Sequence, residues 1–205
     1  MCNHMTKSHS LKIDNKPTLF SFDIETEYKN IDRWVFDSKR YSKRDLETES
    51  NLLRQITKDF IDVIETNLLT EKQLDNLVNA IELGASGVWE PATTKLQLLS
   101  YHFDNAKLRL IECIKKASSQ TLKRLLNCVS DNFSITEQIE LCKFTFSNKS
   151  KKVRIKTANI ALDIRDERLI PFLKDELNKQ TDNKVKEAIQ FAIENMWQPK
   201  GQLTF

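Results

Sequence analysis

Between Lys151 and Ile164 the apolar residues occupy two faces of one helix, and this limits the fold more than any other stretch of the chain. Val153, Thr157, Ile160, Ala161 and Ile164 recur at i, i+4, i+7, i+8 and i+11, the spacing of one helical face. Ile155, Ala158 and Leu162 form a second apolar face, and Lys152, Lys156, Asn159 and Asp163 form the wholly polar stripe. A helix that is apolar on two sides must be covered on two sides. After a turn at Arg165-Asp166, the spacing of Leu169, Ile170, Leu173 and Leu177 predicts a second helix. After Thr181-Asp182, Val185, Ala188, Ile189, Ala192, Ile193 and Met196 predict a third. The stretch reads as stacked helical hairpins.

The pattern extends towards the N-terminus. Leu108, Ile139 and Ile170 lie 31 residues apart, as do Leu110, Leu141 and Phe172, and Ile111, Cys142 and Leu173. Phe146 and Leu177 keep the interval, and Leu98, Val129 and Ile160 repeat it in the preceding helices. Three hairpins, at about 91–116, 119–147 and 150–179, share this register, and a capping helix at about 182–196 follows. Repetition at such a period marks a solenoid, in which each hairpin buries its faces against its neighbours. Upstream, Leu46, Leu53, Ile56, Phe60, Val63 and Ile64 place an apolar stripe on a helix that begins after Tyr41. Thr70-Glu71-Lys72-Gln73 is a capping-box pattern, and Gly84 is a stop for the helix it opens. Gly84 to Glu90 reads as a loop holding Trp89, with Pro91 in the first turn of the next helix.

Leu19 to Phe36 is the least helical stretch. Phe20, Phe22 and Ile24 alternate with Ser21, Asp23 and Glu25, which predicts a short extended segment or hairpin docked on the first helices. Three Gly and four Pro among 205 residues are too few for a turn-rich β fold. The expected architecture is therefore all-α: a short right-handed α-solenoid with an irregular or short β N-terminal segment. Residues 1–18 are expected to be a disordered tail and 19–197 one helical-repeat domain, its register clearest in 91–196. Residues 198–205 form a C-terminal tail in this reading.

The stretch from Val153 to Ala192 resembles the HEAT-like repeats, including the short variety named after phycobilisome lyases. The resemblance is carried by Val153-Arg154, the small Ala158 and Ala161, Asp166 at the turn, Leu169-Ile170-Pro171-Phe172-Leu173 with Leu177, and the restart at Val185-Lys186 and Ala192. It covers about a quarter of the chain. It implies stacked hairpins and a habit of binding other molecules, and no active site.

Charge is unevenly distributed. Two lysines and seven carboxylates between Thr57 and Glu90 give −5, whereas thirteen basic and five acidic residues between Pro91 and Lys156 give +8. The basic residues concentrate at predicted helix ends: Lys115-Lys116, Lys123-Arg124, and the cluster Lys149, Lys151, Lys152, Arg154 and Lys156. In stacked hairpins such ends line up along one edge, where they would attract an acidic partner or a phosphate backbone. Lysines also gather at helix C-termini for dipole reasons alone. Trp89 is either an exposed interface anchor or a plug folded over the first hairpins. The candidate partner-binding residues are Trp89, Lys123, Arg124, Lys151, Lys152, Arg154 and Lys156.

Catalytic chemistry finds little support. Asp23-Ile24-Glu25-Thr26 resembles the first acidic motif of proofreading 3′–5′ exonucleases, whose chemistry needs further carboxylates to hold two metal ions. No second acidic motif on a strand follows. His102 has no nucleophile at a helical phase that ties the two together, and there is no phosphate loop, zinc spacing or nucleophile elbow. Cys2, His4 and His9 lack a fourth metal ligand. Cys113, Cys128 and Cys142 sit on apolar faces as small hydrophobes, consistent with a reducing compartment. With no secretory h-region and no membrane-length apolar run, the expected location is the cytoplasm. The expected function is non-catalytic protein binding, as a scaffold, an adaptor or a small inhibitor of the immunity type, without cofactor or metal. The alternative is a nucleic-acid binder using residues 91–156. Its catalytic form would resemble the helical-repeat DNA glycosylases that remove alkylated bases and combine Trp with Asp and Arg.

Overall fold

The computed structural model describes residues 24–38 and 46–197, and the tails expected at 1–18 and 198–205 lie outside them, as do Phe20 and Phe22. The described chain forms ten α-helices: α1 Ile24–Ser38, α2 Leu46–Thr66, α3 Glu71–Leu83, α4 Ser86–His102, α5 Asp104–Lys116, α6 Ser119–Leu125, α7 Ile135–Phe146, α8 Lys151–Ile164, α9 Leu169–Lys179 and α10 Asn183–Asn195. A 3-10 turn, Leu126–Cys128, extends α6. There is no strand among the described residues.

Helix α8 is covered on both apolar faces, as its sequence requires. Val153, Thr157, Ile160 and Ala161 are buried on one face, and Ala158 and Leu162 on the other. Lys152, Asn159 and Asp163 of the polar stripe are exposed. Its partners are α7, α10 and α6. On the α7 side the Thr157 hydroxyl meets the Thr145 hydroxyl at 2.9 Å, and both are satisfied by carbonyls of their own helices. Arg165 ends α8 in the left-handed region, at φ 54°. Asp182 caps α10 by accepting the Val185 N–H at 3.2 Å. The same hairpin logic recurs upstream. Thr70 and Gln73 form the predicted capping box of α3, and Ser134 and Glu137 form another on α7.

Most contacts join helices adjacent in sequence, from α1 on α2 through α5 on α6, then α7 on α8 and α9 on α10. Next-but-one contacts add α2 to α4, α4 to α6, α6 to α8 and α8 to α10. A continuous apolar core runs from Ile31 to Met196.

Two expectations are corrected. Residues 24–36 are not extended: Ile24 opens α1, and Tyr28, Ile31 and Val35 place an apolar stripe towards α2. Glu25 and Glu27 are favourably placed in its first turn. Gly84 to Glu90 is not a loop, because α4 starts at Ser86 and Pro91 lies inside it. Glycine is needed at position 87 for close approach, since a Cβ there would stand 2.1 Å from the Trp34 indole nitrogen. The apolar stripe expected from Leu46 lies on α2, and residues 39–45, which include the start expected at Tyr41, lie outside the described chain.

Among the residues 31 apart, the triplets beginning at Leu110 and Ile111 are all buried or half-buried. The triplet beginning at Leu108 differs, since Leu108 is 62% exposed where Ile139 is buried. Val129 lies beyond the 3-10 turn rather than in a helix, because Asn132 takes over the local backbone: its Oδ1 accepts the Ser130 N–H at 2.9 Å and its Nδ2 donates to the Cys128 carbonyl at 3.0 Å.

Candidate functional site

Because α4, α6 and α8 lie side by side, the starts of α4 and α8 and the whole length of α6 share one recess of about 720 Å³. Trp89 contributes from the first turn of α4. Ser119, Gln120, Lys123 and Arg124 contribute from α6, with Asn127 just beyond it, and Ser150, Lys152 and Lys156 from the start of α8. Among the described residues lining the groove none is a carboxylate. Helix α8 opens here without a side-chain cap bond, so the positive end of its dipole adds to the field of the lysines.

Five of the seven residues singled out from the sequence therefore converge: Trp89, Lys123, Arg124, Lys152 and Lys156. Arg124 is the keystone. Its Nη1 donates to the Ile81 carbonyl and, at 3.1 Å, to that of Glu82, satisfying two carbonyls at the C-terminal end of α3. Its guanidinium carbon stands 5.3 Å from the centre of the Trp89 ring, within cation–π range. Partial burial holds the Arg124 pKa below its ordinary value, the cost of desolvating a cation. Trp89 is thus half-buried beneath a cation, between the two roles its sequence position allowed.

The other two residues do different work. Lys151 lies 3.5 Å from Asp182 at the start of α10 and does not line the groove. Asp182 is held below the usual carboxylate range, first by the Val185 N–H and then by Lys151. Arg154 donates through Nη1 to the Asn148 carbonyl at 2.8 Å and the Lys149 carbonyl at 3.0 Å, clamping the α7–α8 connection. Sequence reasoning missed Ser119, Gln120, Asn127 and Ser150. Neutral residues at helix ends give no signal until neighbouring helices are placed beside them.

The remaining candidates separate. Glu25 is exposed on α1, 3.4 Å from Lys29. His102 is exposed at the end of α4. Cys113 is half-buried and Cys128 and Cys142 are buried; burial raises all three thiols, that of Cys142 up to about 12. Among the described residues no group of His, Cys, Asp or Glu could hold a metal ion, and no helix is long and apolar enough to cross a membrane. The fold defines an all-helical protein of ten packed helices among the described residues. No family model, curated protein or solved structure matches the chain.

Proposed function

We propose that this protein is a non-catalytic binding module built as a short right-handed HEAT-like solenoid, and that the groove across α4, α6 and α8 receives a negatively charged partner. The observation that carries this reading is the gathering of Lys123, Arg124, Lys152 and Lys156 in one recess lined by no described carboxylate. A concave wall of one sign focuses the field and attracts an oppositely charged molecule. The next-but-one contacts through α2, α4, α6, α8 and α10, together with the 31-residue interval, support the solenoid. A scaffold or inhibitor that docks an acidic surface and a protein that follows a nucleic-acid backbone would both use this field. The location remains a proposal for the cytoplasm, supported by buried, unpaired thiols.

Retention on immobilised heparin tests the groove reading. K152E/K156E reverses two groove charges, whereas K72E/K174E reverses two exposed lysines on α3 and α9 that do not line the groove. The expected result is that the groove pair elutes at clearly lower salt and the control pair close to wild type. Equal shifts for both pairs would mean that net charge alone governs retention, and the groove reading would fall.

A further inference from the structure

We infer that the groove is a receptor for single-stranded nucleic acid, an inference that rests on the anion-binding reading above and names its partner. Three features of the recess separate this ligand from an acidic polypeptide. The first is the Trp89–Arg124 pair. An indole with a guanidinium 5.3 Å from its centre offers both a π-face and a flat cation, the two surfaces on which unpaired bases stack. Carboxylate side chains have no comparable use for an aromatic ring.

The second feature is the set of neutral hydrogen-bonding groups between the cations. Gln120 and Asn127 each carry an amide donor pair and an acceptor, and the Ser150 hydroxyl can donate or accept. Base edges present mixed donors and acceptors, whereas a run of carboxylates presents acceptors alone. The third feature is shape. The recess crosses three neighbouring helices, roughly 20 Å at ordinary interhelical spacing. A strand laid along it meets Lys123 and Arg124 on α6 and Lys152 and Lys156 on α8 in turn. The aromatic lies within the recess, half-buried, where a splayed base reaches it and a base stacked inside a duplex does not. The cations hold the phosphates, and the Trp89–Arg124 pair holds a base.

The experiment is fluorescence anisotropy with labelled oligonucleotides of about twelve residues, long enough to cover a site of this size. Single-stranded DNA, single-stranded RNA, the corresponding DNA duplex and a poly-glutamate of matched charge form the four arms. The expected result is that one or both single strands bind more tightly than duplex and poly-glutamate. With four groove cations engaged, log K should fall with log salt at a slope of about −3. K152E/K156E should weaken single-strand binding at least ten-fold and flatten that slope. W89L should weaken it by at least about five-fold while leaving the slope and poly-glutamate binding unchanged, because stacking does not depend on salt as phosphate contact does. Circular dichroism confirms that each variant is folded, and W89F, which keeps a ring, should recover part of the loss if W89L disturbs the packing. Tighter binding of poly-glutamate or duplex would overturn the inference and leave the anion groove standing, as would a W89L variant with wild-type affinity for single strands. Failure of all four polyanions to bind would overturn both.

Discussion

At the scale of single residues, the thiols illustrate how burial alone decides chemistry. Cys142 sits on α7 with its side chain packed in the core, and its pKa rises from an ordinary 9.0 to about 12 because burial disfavours the thiolate. The stabilisation this gives is fully present below the unfolded pKa and is lost as pH rises towards the folded one. Above pH 9 the unfolded chain releases the proton while the folded chain keeps it, so the unfolded state gains. The stability difference between wild type and C142A, read from urea unfolding in a reducing buffer, should therefore shrink by about 1 kcal/mol between pH 9 and pH 10. The cavity left by the substitution contributes equally at both pH values and cancels. A difference independent of pH would mean that the thiol ionises within the fold and that α7 is looser than its burial implies. The same contrast between location and residue type separates Arg124 from Arg154. Both lie in the basic stretch and both spend Nη1 on two backbone carbonyls, yet Arg124 also stands against Trp89 in the groove while Arg154 clamps the α7–α8 connection. No property of an arginine in a sequence distinguishes the two, since their partners belong to other turns of the chain.

At the scale of elements, α7 joins local signal to tertiary contact. Ser134 accepts the Glu137 N–H at 3.3 Å, and Glu137 Oε2 accepts the Ser134 N–H at 2.7 Å, closing a capping box. The same Oε2 lies 2.7 Å from Lys107 Nζ on α5, so the cap also ties two hairpins together. Burial pushes the Glu137 pKa up, but the Lys107 and Ser134 hydrogen bonds outweigh it and leave it below the ordinary value. S134A should cost about 1 kcal/mol in urea unfolding, the usual worth of an N-cap, and E137Q should make the fold less sensitive to acid because a depressed carboxylate contributes stability that is lost as pH falls. A neutral S134A would mean that α7 is fixed by packing and not by its cap. Elements with such local signatures were legible from the sequence: the α3 capping box, the Asp182 break before α10 and both faces of α8. The elements misread were those whose cues had a tertiary cause. Gly87 looks like a loop residue but makes room for Trp34, fifty-three positions earlier in the chain. Pro91 looks like a helix start but lies inside α4, after the helix has already been opened at Ser86. The groove was legible by half: its charges could be counted, whereas its neutral members became visible only when α4, α6 and α8 stood side by side.

At the scale of the whole molecule, the question is whether the ten described helices behave as one cooperative body or as a stack. Contacts fall mainly between adjacent and next-but-one helices, so a perturbation at one end has few direct routes to the other. In a stack, stability is approximately a sum of unit and neighbour terms, and an end can open while the middle stays closed. Ile189 provides the lever. It is fully buried in α10, which packs on α8 and α9, and I189A should remove roughly 2–5 kcal/mol of core packing. Native-state hydrogen exchange read helix by helix tells where that loss is felt. If the solenoid proposal is right, protection falls in α8, α9 and α10 and is retained in α2, α3 and α4. If all helices lose protection by the same amount, the chain unfolds as a single unit and its sequential contacts do not make it a stack. The outcome bears on the groove as well, because its α8 wall belongs to the segment predicted to open. In a stack, I189A would weaken binding by loosening Lys152 and Lys156 while Trp89 and its α4 support stayed in place. In a single cooperative body every wall would loosen together.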